Sequence, residues 1–267
     1  MRINKVNLHY ETPSPVDFAS IVNQTADGNL CKLTCSTVPL LDYWKDPEKR
    51  IERLRRELQF QASGIADLCF EFPVKSFPPQ NKASFTDVMY SDNDTTIAVE
   101  GKWTENLDKS VSGWLAAGKV QKNREEVLNH WLCLIESKNA ADVDRTKILD
   151  VPYQLVHRTA SACSLHKECT FVVVQIFVSE RTKYLLKHRR SIDSLVEAIH
   201  LKKGLEIWLH TVSMKETDSY RRRADELART SKPSDKSMIV RSALLKEQLF
   251  NFGEERFERI TYRPPAL

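Results

Sequence analysis

Long apolar runs are missing from this chain of 267 residues, and none reaches the length needed to cross a bilayer. Its first residues, MRINKVNLHYETPSP, also lack the apolar segment of a secretion signal, so a cytoplasmic protein with no membrane partner is expected. Cysteine is scarce: six residues, at 31, 35, 69, 133, 163 and 169, are too few to staple a chain of this size with disulfides. They read as reduced thiols, with Cys69 in ADLCFEF and Cys133 in NHWLCLIE facing the core. Internal repeats and low-complexity segments are absent. Charge is not one-sided either, since 40 Lys and Arg against 36 Asp and Glu leave a net +4, which neither demands nor excludes nucleic acid.

What is present is enough apolar content, 41%, to bury a sizeable core. The pattern predicts a single α/β domain over residues 1–267, with a strand extension at about 1–45 and a helical extension at about 214–267. In LDYWKDPEKRIERLRRELQFQASG a helix begins with Asp46 as N-cap and Pro47 at its first position, buries Ile51, Leu54, Leu58 and Phe60, and ends at Gly64. ADLCFEFPV (66–74) reads as a strand, and VKSFPPQNKA as a loop stopped by its paired prolines. Two amphipathic helices, ENLDKSVSGWLAAG and NREEVLNHWLCLIESK, break near Gly118. PYQLVHRTASACSL is a helix opened by proline, while CTFVVVQIFV and LEIWLHTVSM are strands, the former a continuous apolar run typical of a sheet centre. A polar stretch near TSKPSDKS (230–237) is expected to be mobile, ahead of a last helix, MIVRSALLKEQLFNFG, and a proline-ended tail.

The stretch SFTDVMYSDNDTTIAVEGKWTE (84–105) carries the most chemistry. FTDVMY and TTIAVEGKW are rich in β-branched and aromatic residues, and Ser-Asp-Asn-Asp between them has the chemistry of a chain reversal. Side chains alternate along a strand, so Glu100 and Lys102 point the same way, and Gly101 leaves its carbonyl accessible. A turn centred near Asn93 sets Asp87 across from Glu100, on the same rim. Carboxylate and carbonyl oxygens there suit Mg²⁺ or Mn²⁺, and Lys102 can orient a water or offset charge growing on a phosphorus. The same residues at the ends of an exposed hairpin are also ordinary solvated groups, and Glu-x-Lys occurs by chance in most chains of this length. Specificity comes from Asp87 ending an apolar strand and from IAV directly before Glu100, which predicts a strand buried until it meets the acid.

The order helix, strand, strand, strand, helix, strand, with Asp87 opening the hairpin and Glu100-Gly101-Lys102 closing it, resembles the PD-(D/E)xK restriction-endonuclease-like superfamily. FTDVMY stands where that family's Pro-Asp element stands, with Thr86 in place of the proline, and VEGKW stands at its (D/E)xK element. The resemblance spans roughly residues 46–213. It implies a mixed central β-sheet flanked by helices, a metal held by Asp87, Glu100 and the Gly101 carbonyl, and Lys102 serving the hydrolytic water. The activity it implies is metal-dependent hydrolysis of phosphodiester bonds, in DNA first. Some members of that superfamily have lost catalysis, so a non-catalytic scaffold binding nucleic acid or protein is the alternative.

Further candidates surround this corner. Some lineages of that superfamily add an acid from the first helix, which points to Glu57, or Glu52, as an extra metal ligand. Others carry a glutamine on the helix after the (D/E)xK strand, which points to Gln154. His157 and Arg158 share its helical face and would meet a water or a phosphate. Basic clusters at 49–56, 183–190, 202–203 and 221–223 can contact phosphates, Arg189 and Arg190 above all, although such residues interleaved with Glu usually form a solvated face. His157, Cys163, His166 and Cys169, with Cys31 and Cys35, offer soft ligands, but their spacing lacks the paired units of a zinc site. A homodimer remains open.

Overall fold

The computed structural model describes residues 6–76, 83–107, 109–117 and 121–262. Its centre is an eight-stranded mixed sheet with helices on both faces, an α/β architecture. The chain opens with β1 (Val6–Tyr10) and β2 (Pro15–Val16), followed by three short helices, α1 (Phe18–Gln24), α2 (Asp27–Leu30) and α3 (Thr37–Tyr43). The expected N-terminal strand extension is therefore mostly helical. Its apolar residues Ile21, Val22, Leu30, Val38 and Leu41 are all buried, which helical turns achieve and isolated short strands do not. β1 is no appendage either, since it pairs in parallel with a core strand, Leu8 facing Leu68.

The helix α4 (Pro47–Leu58) starts as expected, with the Asp46 side chain accepting from the Lys49 amide and Pro47 in the first turn. It stops five residues before Gly64, at Gln59, which takes the left-handed conformation with φ 57°. Three strands follow, β3 (Ala66–Val74), β4 (Ser84–Ser91) and β5 (Thr95–Lys102). Of the proline-rich loop between the first two, residues 77–82 lie outside the described residues, as does the Gly118 helix break. Next come α5 (Val111–Ala116), α6 (Gln121–Asn139), a 3-10 turn, α7 (Tyr153–Cys163) and the central strand β6 (Cys169–Val178). On α6 the buried stripe is Val127, Leu128, Trp131, Leu132 and Ile135, which turns Cys133 out to solvent; the expectation that it faces the core fails by one position on the helix.

After β6 the chain runs through α8 (Leu185–Ala198), β7 (Leu205–Glu216), α9 (Asp218–Arg229), α10 (Pro233–Lys246) and β8 (Phe250–Ile260). Of TSKPSDKS only residues 230–232 lie between helices, because Pro233 sits in the first turn of α10. The last helix ends at Lys246, short of its expected end, and NFGEERFERI forms a strand antiparallel to β7, closing the sheet edge.

The strand order is β2-β1-β3-β4-β5-β6-β7-β8. β4 is antiparallel to both its neighbours, while β5, β6 and β7 run parallel. One core, built from α1–α4, α9 and α10, covers one face, and a second, built from α5–α8, covers the other. Alternation puts Val99 in the first core and Ala98 in the second, so Glu100 and Lys102 emerge on the α7 face. Gly101 turns to the opposite face, where a Cβ would sit tightly against Leu40 Cδ1 of α3, at 3.1 Å. Among the described residues no helix is long and apolar enough to cross a membrane.

Candidate functional site

The hairpin register follows from its turn. Asp92 accepts hydrogen bonds from the amides of Asp94 (3.0 Å) and Thr95 (2.8 Å), which reverses the chain around Asn93 and Asp94. Val88 then faces Val99, so the next position sets Asp87 against Glu100, as the sequence predicts. The bond that ties them is the Gly101 amide donating to Asp87 Oδ2 at 2.8 Å. The solvated-hairpin reading does not survive, because burial does not end at the acid: Glu100 is 1% exposed and Lys102 5%.

Buried charges need partners, and each carboxylate here has several. Lys102 Nζ lies 2.8 Å from Glu100 Oε1. α7 brings two more donors one turn apart: Gln154 Nε2 donates to Glu100 Oε1, and Arg158 Nε to Glu100 Oε2. Arg158 Nη2 also reaches Asp87 Oδ1 at 3.1 Å, so one guanidinium spans both acids. Its Nη1 is buried without a partner among the described residues. α7 is anchored here by Tyr153 stacking on Trp114 of α5, ring centroids 3.8 Å apart.

A third acid joins the two that the sequence identifies. Glu71 lies between the paired positions Phe70–Val88 and Phe72–Thr86, hence opposite Asp87. It holds φ 50°, an unfavourable backbone for a non-glycine residue within a strand. Sequence reasoning missed it, although an acid in the middle of ADLCFEFPV, flanked by Phe70 and Phe72, was a visible signal. Three neighbouring carboxylates against two cations explain the electrostatics. Burial and the nearby Glu100 charge raise Asp87 to about 6, while burial and Asp87 raise Glu71 to about 7. Burial works against Glu100 as well, yet Arg158 and Lys102 hold it at about 2. Lys102 and Arg158 are in turn raised, the carboxylates outweighing burial.

Other predicted residues lie elsewhere or do other work. His157 turns from the corner to Ser84, its Nδ1 2.8 Å from the hydroxyl. Burial, with Arg158 beside it, lowers its pKa well below the usual value, so it is neutral. Glu57 is not a metal ligand: α4 packs on the opposite face of the sheet, where Glu57 pairs with Arg53 at 3.2 Å. Glu52 pairs with Arg55. Arg189 is held by Asp193 (2.8 Å) and by Glu258 of β8 (2.9 Å), which turns its guanidinium towards β8. Arg190 instead lines a cleft of 660 Å³ with Lys187, Lys109, Ser191 and Pro152, two residues before Gln154. A wider cleft of 960 Å³ beside Arg181 and Glu216 contains, of the predicted residues, Arg221 of the 221–223 cluster and none from the acid corner.

The donors fit a hard divalent cation in kind, since Asp87 and Glu100 present carboxylate oxygens on one rim. Every one of those four oxygens already has a protein donor, and among the described residues no three His, Cys, Asp or Glu side chains converge on a common point. An ion between Asp87 and Glu100 would take the place of the Arg158 guanidinium, the cation that now joins them.

A family model described as a domain of unknown function, DUF6946, matches residues 17–220. No curated protein and no solved structure matches the chain.

Proposed function

The chain belongs to the DUF6946 family, whose description assigns no chemistry, and from its buried acid corner we propose that it is a restriction-endonuclease-like, metal-dependent nuclease hydrolysing phosphodiester bonds in DNA. The observation that carries this reading is the convergence of Asp87, Glu100 and Lys102 with Gln154, from two strands and a helix, at one rim. The order of α4, three strands, helices and β6 supports the same fold. Asp87 and Glu100 would hold Mg²⁺ or Mn²⁺, which supplies the charge that polarises a phosphate and acidifies a water.

The protein's own groups do the rest. Gln154 and Lys102 fix the Glu100 carboxylate, and Lys102 offsets negative charge gathering on the phosphorus. Lys187 and Arg190, beside the start of α7, offer cations to the neighbouring phosphates of the strand. A second reading has its own observation in favour: Arg158 closes both acids into an ion-pair cluster, as a non-catalytic binding scaffold would keep it.

Incubating a short DNA duplex with the protein and Mg²⁺ tests the proposal, with Mn²⁺ binding followed by electron paramagnetic resonance. Asp87→Ala is expected to abolish both binding and cleavage, and Lys102→Ala to spare Mn²⁺ binding while slowing cleavage by roughly a hundredfold or more. Full activity in Lys102→Ala sinks the assignment. DNA binding with neither cleavage nor Mn²⁺ uptake leaves the scaffold.

A further inference from the structure

A second cavity lies on the same face of the sheet as the acid corner. It has a volume of 250 Å³ and is walled by Phe72, Pro73, Cys69 and Met89, with His9 and Asp67 at its polar side. Its position relative to the corner follows from strand register. His9 faces Cys69, which faces Met89, so these three form one row across β1, β3 and β4. Glu71 and Asp87 form the row two residues further on, which puts the cavity about 7 Å from the acids along the strands. That is the length over which a sugar joins a phosphate to its base.

The polar side of the cavity is rich in acceptors, the carboxylates of Asp67 and Glu11, with the hydroxyls of Thr12 and Ser91 also on its lining. His9 Nε2 lies 3.0 Å from Asp67 Oδ1, and because a carboxylate only accepts, this nitrogen carries the proton. His9 Nδ1 is buried with no partner among the described residues, in a residue only 7% exposed. Asn7 donates to the same Asp67 oxygen at 3.1 Å, which leaves Oδ2 of Asp67 open. Glu11, also on the cavity wall, adds a further carboxylate; its backbone holds φ 54° while its amide bonds the Phe70 carbonyl at 3.1 Å.

Flat apolar walls with acceptors at one side fit a planar ring whose edge is all donor. Among the nucleobases only guanine sets a ring N–H and an amino group side by side, the pair that a carboxylate grips with two hydrogen bonds. We propose that this cavity is a guanine pocket that seats the base next to the scissile phosphate, the second part resting on the nuclease reading above. Guanine against Phe72 would offer its amino and imino hydrogens to Asp67 and Glu11.

Titrating the full-length protein with guanosine, inosine, adenosine and cytidine, without metal, tests this by calorimetry. Uncharged nucleosides isolate the base from any phosphate contact. Guanosine is expected to bind, and inosine, which lacks only the amino group, to bind at least about tenfold more weakly, the loss of one charge-assisted hydrogen bond. Asp67→Asn should bring guanosine down to the inosine level; the guanosine–inosine contrast in the unaltered protein holds whether or not that variant folds. Equal affinity for the two nucleosides, or none for either, overturns the pocket, as does stronger binding of argininamide, which would mark a peptide site. Guanosine binding without Mg²⁺-dependent cleavage supports the pocket and overturns the nuclease reading. Cleavage without guanosine binding does the reverse.

Discussion

At Arg158 a structural and a chemical role meet in one side chain. Its guanidinium neutralises two buried carboxylates, and the same space is where a divalent ion would have to sit. Removing one partner of a buried ion pair costs about 3–5 kcal/mol, because the remaining charge is stranded. Arg158→Ala should therefore lower the melting temperature sharply in the presence of a chelator. If the acids are metal ligands, Mn²⁺ should restore more of that stability in the variant than it adds to the unaltered protein, since no guanidinium then competes. A scan showing the same Mn²⁺ response in both proteins would count against metal binding at Asp87 and Glu100. The residues of this corner were legible to different degrees, for physical reasons. Asp87, Glu100 and Lys102 follow from strand alternation and turn chemistry, Gln154 was pointed to by the family resemblance, and Arg158 follows from the four-residue spacing that stacks it on Gln154. Glu71 depends on a positive φ within β3 and on which strand lies beside β4, and neither is written locally.

Among the elements, α8 shows how helical phase sorts charges that are adjacent in sequence. Lys187, Arg190, Ser191 and Ser194 recur at three- and four-residue steps and line the cleft beside α7, whereas Arg189 is turned towards Asp193 and Glu258. A basic run such as KHRR reveals charge but not this division, which is why both arginines were assigned to phosphate binding. Glu57 was misplaced for the same reason: α4 was correctly bounded at its start, yet only the packing of Ile51, Leu54 and Leu58 decides which face of the sheet it covers. The two arginines are expected to behave differently. Arg190→Glu should weaken DNA binding and lower the slope of log affinity against log salt by about 1 or more, the value of one phosphate contact. Arg189→Glu should leave that slope unchanged and cost under about 1 kcal/mol of stability, as expected of a partly exposed pair. Fluorescence anisotropy of a labelled duplex over a salt series measures both. Equal slopes for the two variants would remove the α8 cleft from the substrate path.

The whole molecule was legible where one segment is enough to decide, and obscure where distant segments must meet. The central strands follow from apolar runs and alternation, while the fates of residues 18–43 and 250–260 depend on partners far along the chain, as when Asp42 accepts from the amides of Leu249 and Phe250. One buried group of this kind makes a global prediction. His188 of α8 is fully enclosed, and neither of its ring nitrogens has a hydrogen-bond partner among the described residues. Burial, reinforced by the Lys102 charge, lowers its pKa from 6.5 to about 4. An unfolded chain would bind that proton below pH 6.5, whereas the folded protein resists it until about pH 4. The contribution of His188 to stability is thus fully present above pH 6.5 and is lost as the pH falls towards 4, up to roughly 3 kcal/mol in all. Asp87 and Glu71, both raised, act in the opposite direction, their cost to stability growing as the pH rises, so the total slope mixes signs. Comparison with His188→Met isolates one of them, because the thioether fills similar space and does not titrate. Urea unfolding at pH 7.5 and pH 5 should show the unaltered protein losing more stability between the two than the variant does. Parallel losses would mean that His188 is solvated or hydrogen-bonded, and that the helix it anchors packs less tightly against the strand end carrying Lys102.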